Sequence, residues 1–182
     1  MNKSLRNNNG FTLVELLFAL VLLGLITGVI YSLIQFSNRS FTVNSNQYDV
    51  QSEVRLAVDA VTRAVRYATT LELVDAEEIC SLESYEKGIS YIYIDEGNLC
   101  HIIYDKEQDK HRKVTYKGHL ISDSDVFSKA ESCRLLVKIT SQSQAQSHKG
   151  ETEITLLNIK ANGGGISGTS GSGLKYCGCL SP

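Results

Sequence analysis

The sequence predicts an α+β chain: a long N-terminal helix, membrane-spanning in its first half and amphipathic in its second, packed on an antiparallel β-sheet. Three observations carry this. Residues 16–36, LLFALVLLGLITGVIYSLIQF, hold no charged side chain, and at ~1.5 Å per residue they make a helix of about 31 Å, the thickness of a bilayer core. Between residues 54 and 68 apolar side chains recur at three- and four-residue spacing. Beyond residue 88 the apolar period changes to two.

The chain of 182 residues suits one modest folded domain plus an appendage. Its hydrophobic share of 42% is ordinary, but the uneven spread separates an anchor from a polar head. The net charge is −2, and no basic stripe occurs, so direct nucleic-acid binding has little electrostatic support and is not expected. Pro182 is the single proline, which permits a long unbroken helix.

The first ten residues, MNKSLRNNNG, are polar and carry Lys3 and Arg6. Positive charge before an apolar run holds that end on the cytoplasmic side. A secretory signal would place small residues after the run, whereas here Gln35-Phe36-Ser37-Asn38-Arg39 follows. The flexible break lies before it, at Asn9-Gly10-Phe11. Glu15 stands among apolar neighbours, where a carboxylate costs ~2.5 kcal/mol or more toward a bilayer centre. Near the interface it reaches water and the penalty shrinks.

Gly10-Phe11-Thr12-Leu13-Val14-Glu15, followed by Leu16-Leu17 and the charge-free run, resembles the prepilin processing motif shared by type IV pilins and by the pseudopilins of type II secretion and competence systems. The resemblance covers about residues 1–40. It implies cleavage between Gly10 and Phe11 by a prepilin peptidase, N-methylation of Phe11, and charge pairing between Glu15 of one subunit and the Phe11 amine of a neighbour. It further implies a pilin-like fold, with other pilin or pseudopilin subunits, an inner-membrane assembly platform and membrane lipid as partners. The expected location is the bacterial cytoplasmic membrane, single-pass with the N-terminus cytoplasmic, and then the pilus and cell surface. Many major pilins kink this helix with a proline. The matching stretch Val29-Ile30-Tyr31-Ser32 has none, while Gly24 and Gly28 offer weak points or small packing surfaces.

Residues 37–46, SNRSFTVNSN, are poor helix formers and are expected to fray or bend. Val54, Ala57, Val58, Val61, Ala64, Val65 and Ala68 then share one helix face, with Arg55, Asp59, Thr62, Arg63 and Arg66 opposite and Asp59 and Arg63 spaced for an ion pair. The stretch Glu53–Arg63 also resembles the matching helix of minor pilins and pseudopilins of the J/W type. Ile89–Asp95 and Leu99–Tyr104 flank Glu96-Gly97-Asn98 as a hairpin with a three-residue loop. Lys113–Tyr116, Cys133–Thr140 and Glu153–Ile159 read as further strands. The resulting division is a cleaved leader over 1–10, a transmembrane and filament-core helix over 11–36, a globular head over 37–162, and a flexible Gly/Ser-rich tail over 163–182 ending in Cys177-Gly178-Cys179.

Five cysteines, Cys80, Cys100, Cys133, Cys177 and Cys179, are candidate disulfide partners in an exported head. By strand parity Cys100 and Cys133 can both face the core and bridge. Alternatively, Cys177 or Cys179 returns to Cys80 or Cys100 and pins the tail. His101 and Cys100 point to opposite faces of a strand and cannot readily share a metal. No strong metal-ligand spacing, nucleophile motif or phosphate cradle occurs, and Cys177-x-Cys179, which has soft-metal donors, favours disulfide or free-thiol use in an exported tail, so no cofactor and no catalytic residue is expected. The function expected is therefore a minor type IV pilin-like structural subunit rather than an enzyme. A pseudopilin of a secretion or DNA-uptake machine is the alternative within the family, and a membrane-tethered extracytoplasmic enzyme or binding module the alternative outside it.

Overall fold

The computed structural model describes residues 11–143, 146–159 and 165–178. The chain forms two units, Met1–Asn44 and Ser45–Pro182. The leader residues, Gly10 among them, lie outside the described residues, as does Cys179.

In the first unit the described residues belong mostly to helix α1, which spans Leu13–Val65. An 18-residue window within it reaches a mean hydropathy of 2.7, with none of the window buried. Residues 37–46 stay helical rather than fraying. The hydroxyl of Thr42 donates to the carbonyl of Asn38 at 3.1 Å, so that side chain bonds to the helix instead of competing with it.

The second unit is the head, built on the last turns of α1. Its further elements are β1 (Ala68–Val74), α2 (Ala76–Cys80), β2 (Ser90–Asp95), β3 (Asn98–Asp105), β4 (Lys110–Tyr116), β5 (Leu120–Ile121), β6 (Phe127–Glu131), β7 (Arg134–Ser143), β8 (Gln146–Thr155), β9 (Ile166–Ser167), β10 (Ser170–Gly171) and β11 (Gly173–Gly178). They make two sheets where a single one was expected. The six-stranded sheet runs β4-β3-β2-β11-β1-β9, and the five-stranded sheet runs β10-β6-β7-β5, with β8 paired along β7. Among the described residues all pairings are antiparallel except that of β9 with β1.

The apolar face of α1 packs as its spacing predicts. Val54, Ala57, Val61 and Val65 are buried in one core with Leu71, Ile92, Leu99, Phe127, Leu135, Val137 and Leu174 from both sheets. Burying the three valines contributes about 5–9 kcal/mol. The helix stops at Val65, and Ala68 opens β1 instead of closing the helical stripe. The other face of the six-stranded sheet has a smaller core, in which Ala76 and Ile79 of α2 meet Tyr91, Tyr93, Cys100 and Ile102.

The β2–β3 hairpin forms where expected, but with a shorter turn. Asp95 pairs with Asn98, so the connection is Glu96-Gly97 alone, with φ of 46° and 80°. Two successive positive φ values suit the right-handed twist of a tight hairpin, and glycine takes the second without strain. β8 ends at Thr155, short of the strand expected over Glu153–Ile159.

The largest correction concerns the tail. Residues 165–178 are not a flexible linker: β11 lies between β2 and β1, in the middle of the six-stranded sheet. Leu174 and Tyr176 reach the main core. The glycines serve close packing rather than mobility. A Cβ at Gly171 would strike the backbone of Val74, and one at Gly173 would come within 2.6 Å of Ile79 Cδ1. Polar glycine-rich composition, which elsewhere marks a linker, here marks strands laid tightly against their neighbours.

Candidate functional site

The first turn of α1 holds the residues that the sequence singles out. Phe11 precedes the helix and is 84% exposed. The Thr12 Oγ1 accepts the backbone N–H of Glu15 at 3.2 Å, so Thr12 caps the helix and Glu15 occupies its third position. A threonine followed three residues later by glutamate is the capping-box spacing, a signal present in the sequence itself. A carboxylate in the first turn also meets the positive end of the helix dipole. Local structure therefore favours Glu15 there before any partner is considered.

Behind Glu15 the apolar run is exposed along its whole length. Its polar side chains are satisfied by the helix itself. Thr27 donates to Leu23 O at 2.7 Å, Ser32 to Val29 O at 2.9 Å, and Gln35 Nε2 to the Tyr31 hydroxyl at 3.0 Å. With those groups paired internally, the run suits an apolar surrounding. Gly24 and Gly28 have open space around them.

Among the described residues the head carries no comparable reactive constellation. His101 Nε2 and the Tyr176 hydroxyl lie 2.6 Å apart in the interior. Burial, helped by the nearby Arg112 charge, pushes the His101 pKa down to about 4, and burial raises that of Tyr176. Both are neutral at ordinary pH and act as a structural pair. Among the described residues no group of three or more His, Cys, Asp or Glu side chains could hold a metal ion. An open groove of about 500 Å³ runs between α1 and β8, from Tyr48 to Thr62 on the helix and His148 to Thr152 on the strand. It holds no nucleophile paired with a base.

Glu53 is the head residue that sequence reasoning missed. Its carboxylate accepts the Ser141 hydroxyl at 2.6 Å, the His119 N–H at 2.9 Å and lies 3.0 Å from His119 Nδ1. These bonds tie α1 to β7 and to the turn before β5. Nothing in the local spacing around residue 53 points to partners 66 and 88 residues away. The Asp59–Arg63 pair, by contrast, forms as its spacing predicts.

Cys80, Cys100, Cys133 and Cys177 carry free thiols. Cys100 belongs to the core beneath α2 and Cys133 to the core beneath α1, so the bridge between them is overturned. Shared parity within strands does not help when the sheets enclose cores on two sides. Cys177 cannot return to Cys100 either. Cys100 pairs with Tyr93 and Tyr93 with Gly173, which leaves Cys177 four residues farther along β11, or roughly 13 Å. A disulfide needs Cα atoms within about 7 Å.

Residues 5–31 match the family model of the prokaryotic N-terminal methylation motif. The fold is similar to that of the PilB minor pilin from Streptococcus sanguinis, with a TM-score of 0.52 and 15% identity over 75% of this chain and 35% of that one. The D319A mutant of the same minor pilin gives a TM-score of 0.51 and 17% identity, over 70% of this chain and 33% of that one. The chain thus spans about a third of the length of the structures it matches. Among curated proteins no sequence matches it. One chain thus carries a match to the methylation motif and a fold similar to that of a minor pilin. Helix α1 is long and apolar enough to cross a membrane.

Proposed function

We propose that the chain is a minor type IV pilin-like structural subunit, cut between Gly10 and Phe11, methylated at the Phe11 amine, and assembled into a pilus or priming one. The observation that carries this reading is the helix start. α1 begins at Leu13, two residues beyond the scissile bond, and presents a wholly exposed apolar run to its surroundings. Cleavage there releases the polar, basic leader while leaving the capped helix intact. The subunit is held in the cytoplasmic membrane until an inner-membrane platform extracts it. The new Phe11 ammonium then needs a counter-charge once the helix enters an apolar bundle. Glu15 of a neighbouring subunit supplies one, since two charges that are each costly alone become tolerable as a pair that sets register.

Intact-mass measurement of the protein from membranes tests this. The expected mass lacks residues 1–10 and carries one added methyl group. A tethered enzyme or binding module with an uncut anchor shows neither change, and that result would overturn the proposal.

A further inference from the structure

The sheet face turned away from α1 carries two thiols that the proposed function does not use. Ile79 of α2 packs there in one core with Tyr93, Cys100 and Ile102. Strand register fixes the rung beneath it: Gly173 pairs with Tyr93, and Tyr93 with Cys100. Gly173 has no side chain, and Ile79 Cδ1 occupies the space that one would take. Cys80 follows Ile79 as the last residue of α2 and is exposed, whereas Cys100 is 3% exposed. Lys113, opposite Ile102 on β4, sits with its Nζ 5.6 Å from the centre of the Tyr93 ring. Burial raises the pKa of the Cys80 thiol, which also lies within electrostatic reach of Asp95, Cys100 and Lys113.

We propose that Cys80 and Cys100 form a thiol pair that closes to a disulfide when the head meets a disulfide donor, fastening α2 to the β2–β3 hairpin. This rests on the filament reading only in placing the head outside the cytoplasm. Cys80, the accessible member, attacks the donor as a thiolate, forms a mixed disulfide and expels one donor thiol. Cys100 then attacks the Cys80 sulfur and expels the second. The two cysteines lose two protons and two electrons, and the donor disulfide takes up both as it becomes two thiols. The Lys113 ammonium supplies positive charge beside the attacking Cys100 sulfur. Cys133 belongs to the opposite core, and Cys177 lies four residues along β11 from the rung of Cys100.

The test uses full-length protein in detergent micelles, incubated with oxidised glutathione, alkylated without reduction and mapped by peptide mass. The expected product is a cross-link between Cys80 and Cys100, formed faster at pH 9 than at pH 7 because the exposed thiol titrates high. Closing a loop of this length should raise the thermal midpoint by about 10 °C over the reduced form. Cys80→Ser and Cys100→Ala should each abolish both cross-link and shift, with Cys100→Ala trapping glutathione on Cys80. Lys113→Met should slow closure severalfold, with the glutathione adduct accumulating first. The proposal is overturned if wild-type protein keeps glutathione on Cys80 while Cys100 stays free. It is equally overturned if both remain free, or if either is found joined to another cysteine.

Discussion

Replacing Glu53 by alanine tests how the head holds its helix. The carboxylate side chain is 18% exposed, and Ser141, one of its three donors, is fully buried. Removing it leaves the Ser141 hydroxyl and the His119 N–H without their acceptor. Loss of hydrogen bonds to a charged group, together with a stranded buried donor, costs about 2–4 kcal/mol. For a head of this size that lowers the thermal midpoint by roughly 10 °C. The effect has a pH signature. Burial acts to raise the Glu53 pKa, but the bonds from Ser141 and His119 outweigh it and hold the group below its ordinary 4.5. A carboxyl whose pKa is depressed on folding is protonated first in the unfolded chain. Its stabilisation is therefore complete above about pH 4.5 and is lost as pH falls through the lower, folded-state value. Near-ultraviolet circular dichroism of full-length protein in micelles, melted at pH 7 and pH 3, gives both quantities. A Glu53→Ala midpoint indistinguishable from wild type at pH 7, or a difference that persists unchanged at pH 3, would refute the clasp.

Glu15→Ala should be inserted and cleaved normally, because the Thr12 cap bonds the backbone of residue 15 and survives. It should enter filaments poorly, since an unpaired buried ammonium costs ~3–5 kcal/mol; immunoblots of sheared filaments against membranes decide, and equal incorporation would reject the pairing. Gly150→Val would drive a side chain into Val54 on α1, and overpacking of that kind should lower stability by about 1–3 kcal/mol, read as an earlier melt. Ending the chain at residue 164 should leave the head without a cooperative thermal transition, because β11 is lost from the sheet centre; a normal melt would contradict its placement.

The helix and the β2–β3 hairpin were legible because each advertises itself locally. The valines of α1 recur at helical spacing, and alternating apolar residues flank Glu96-Gly97. The apolar helical run and the motif before it were equally plain, since freedom from charge over residues 16–36 and a glutamate behind Gly10-Phe11 are local features. What the sequence concealed depends on contacts made at long range. β8 alternates polar residues such as Ser147, Lys149 and Glu151 and offers no apolar period. β11 hides behind glycines whose purpose is set by Val74 and Ile79, distant in sequence. Glu53 reads as an ordinary charge beside the apolar stripe until β7 and His119 close on it. The cysteines misled because parity assigns a face but not which of two cores that face meets.

The central position of β11 also governs the order in which the molecule can be made. Thr70 on β1 pairs with Cys177 on β11, so one ladder of the sheet waits for more than a hundred residues of chain. Until Gly173–Gly178 have emerged, β1 and β2 have no partner between them and the valine face of α1 has no complete surface to bury. Such non-local closure is slow, because loop entropy is lost before contacts reward it. An emerging chain therefore carries β1 and β2 unjoined until β11 is present. Among the described residues, the six-stranded sheet closes only when β11 takes its place between β2 and β1.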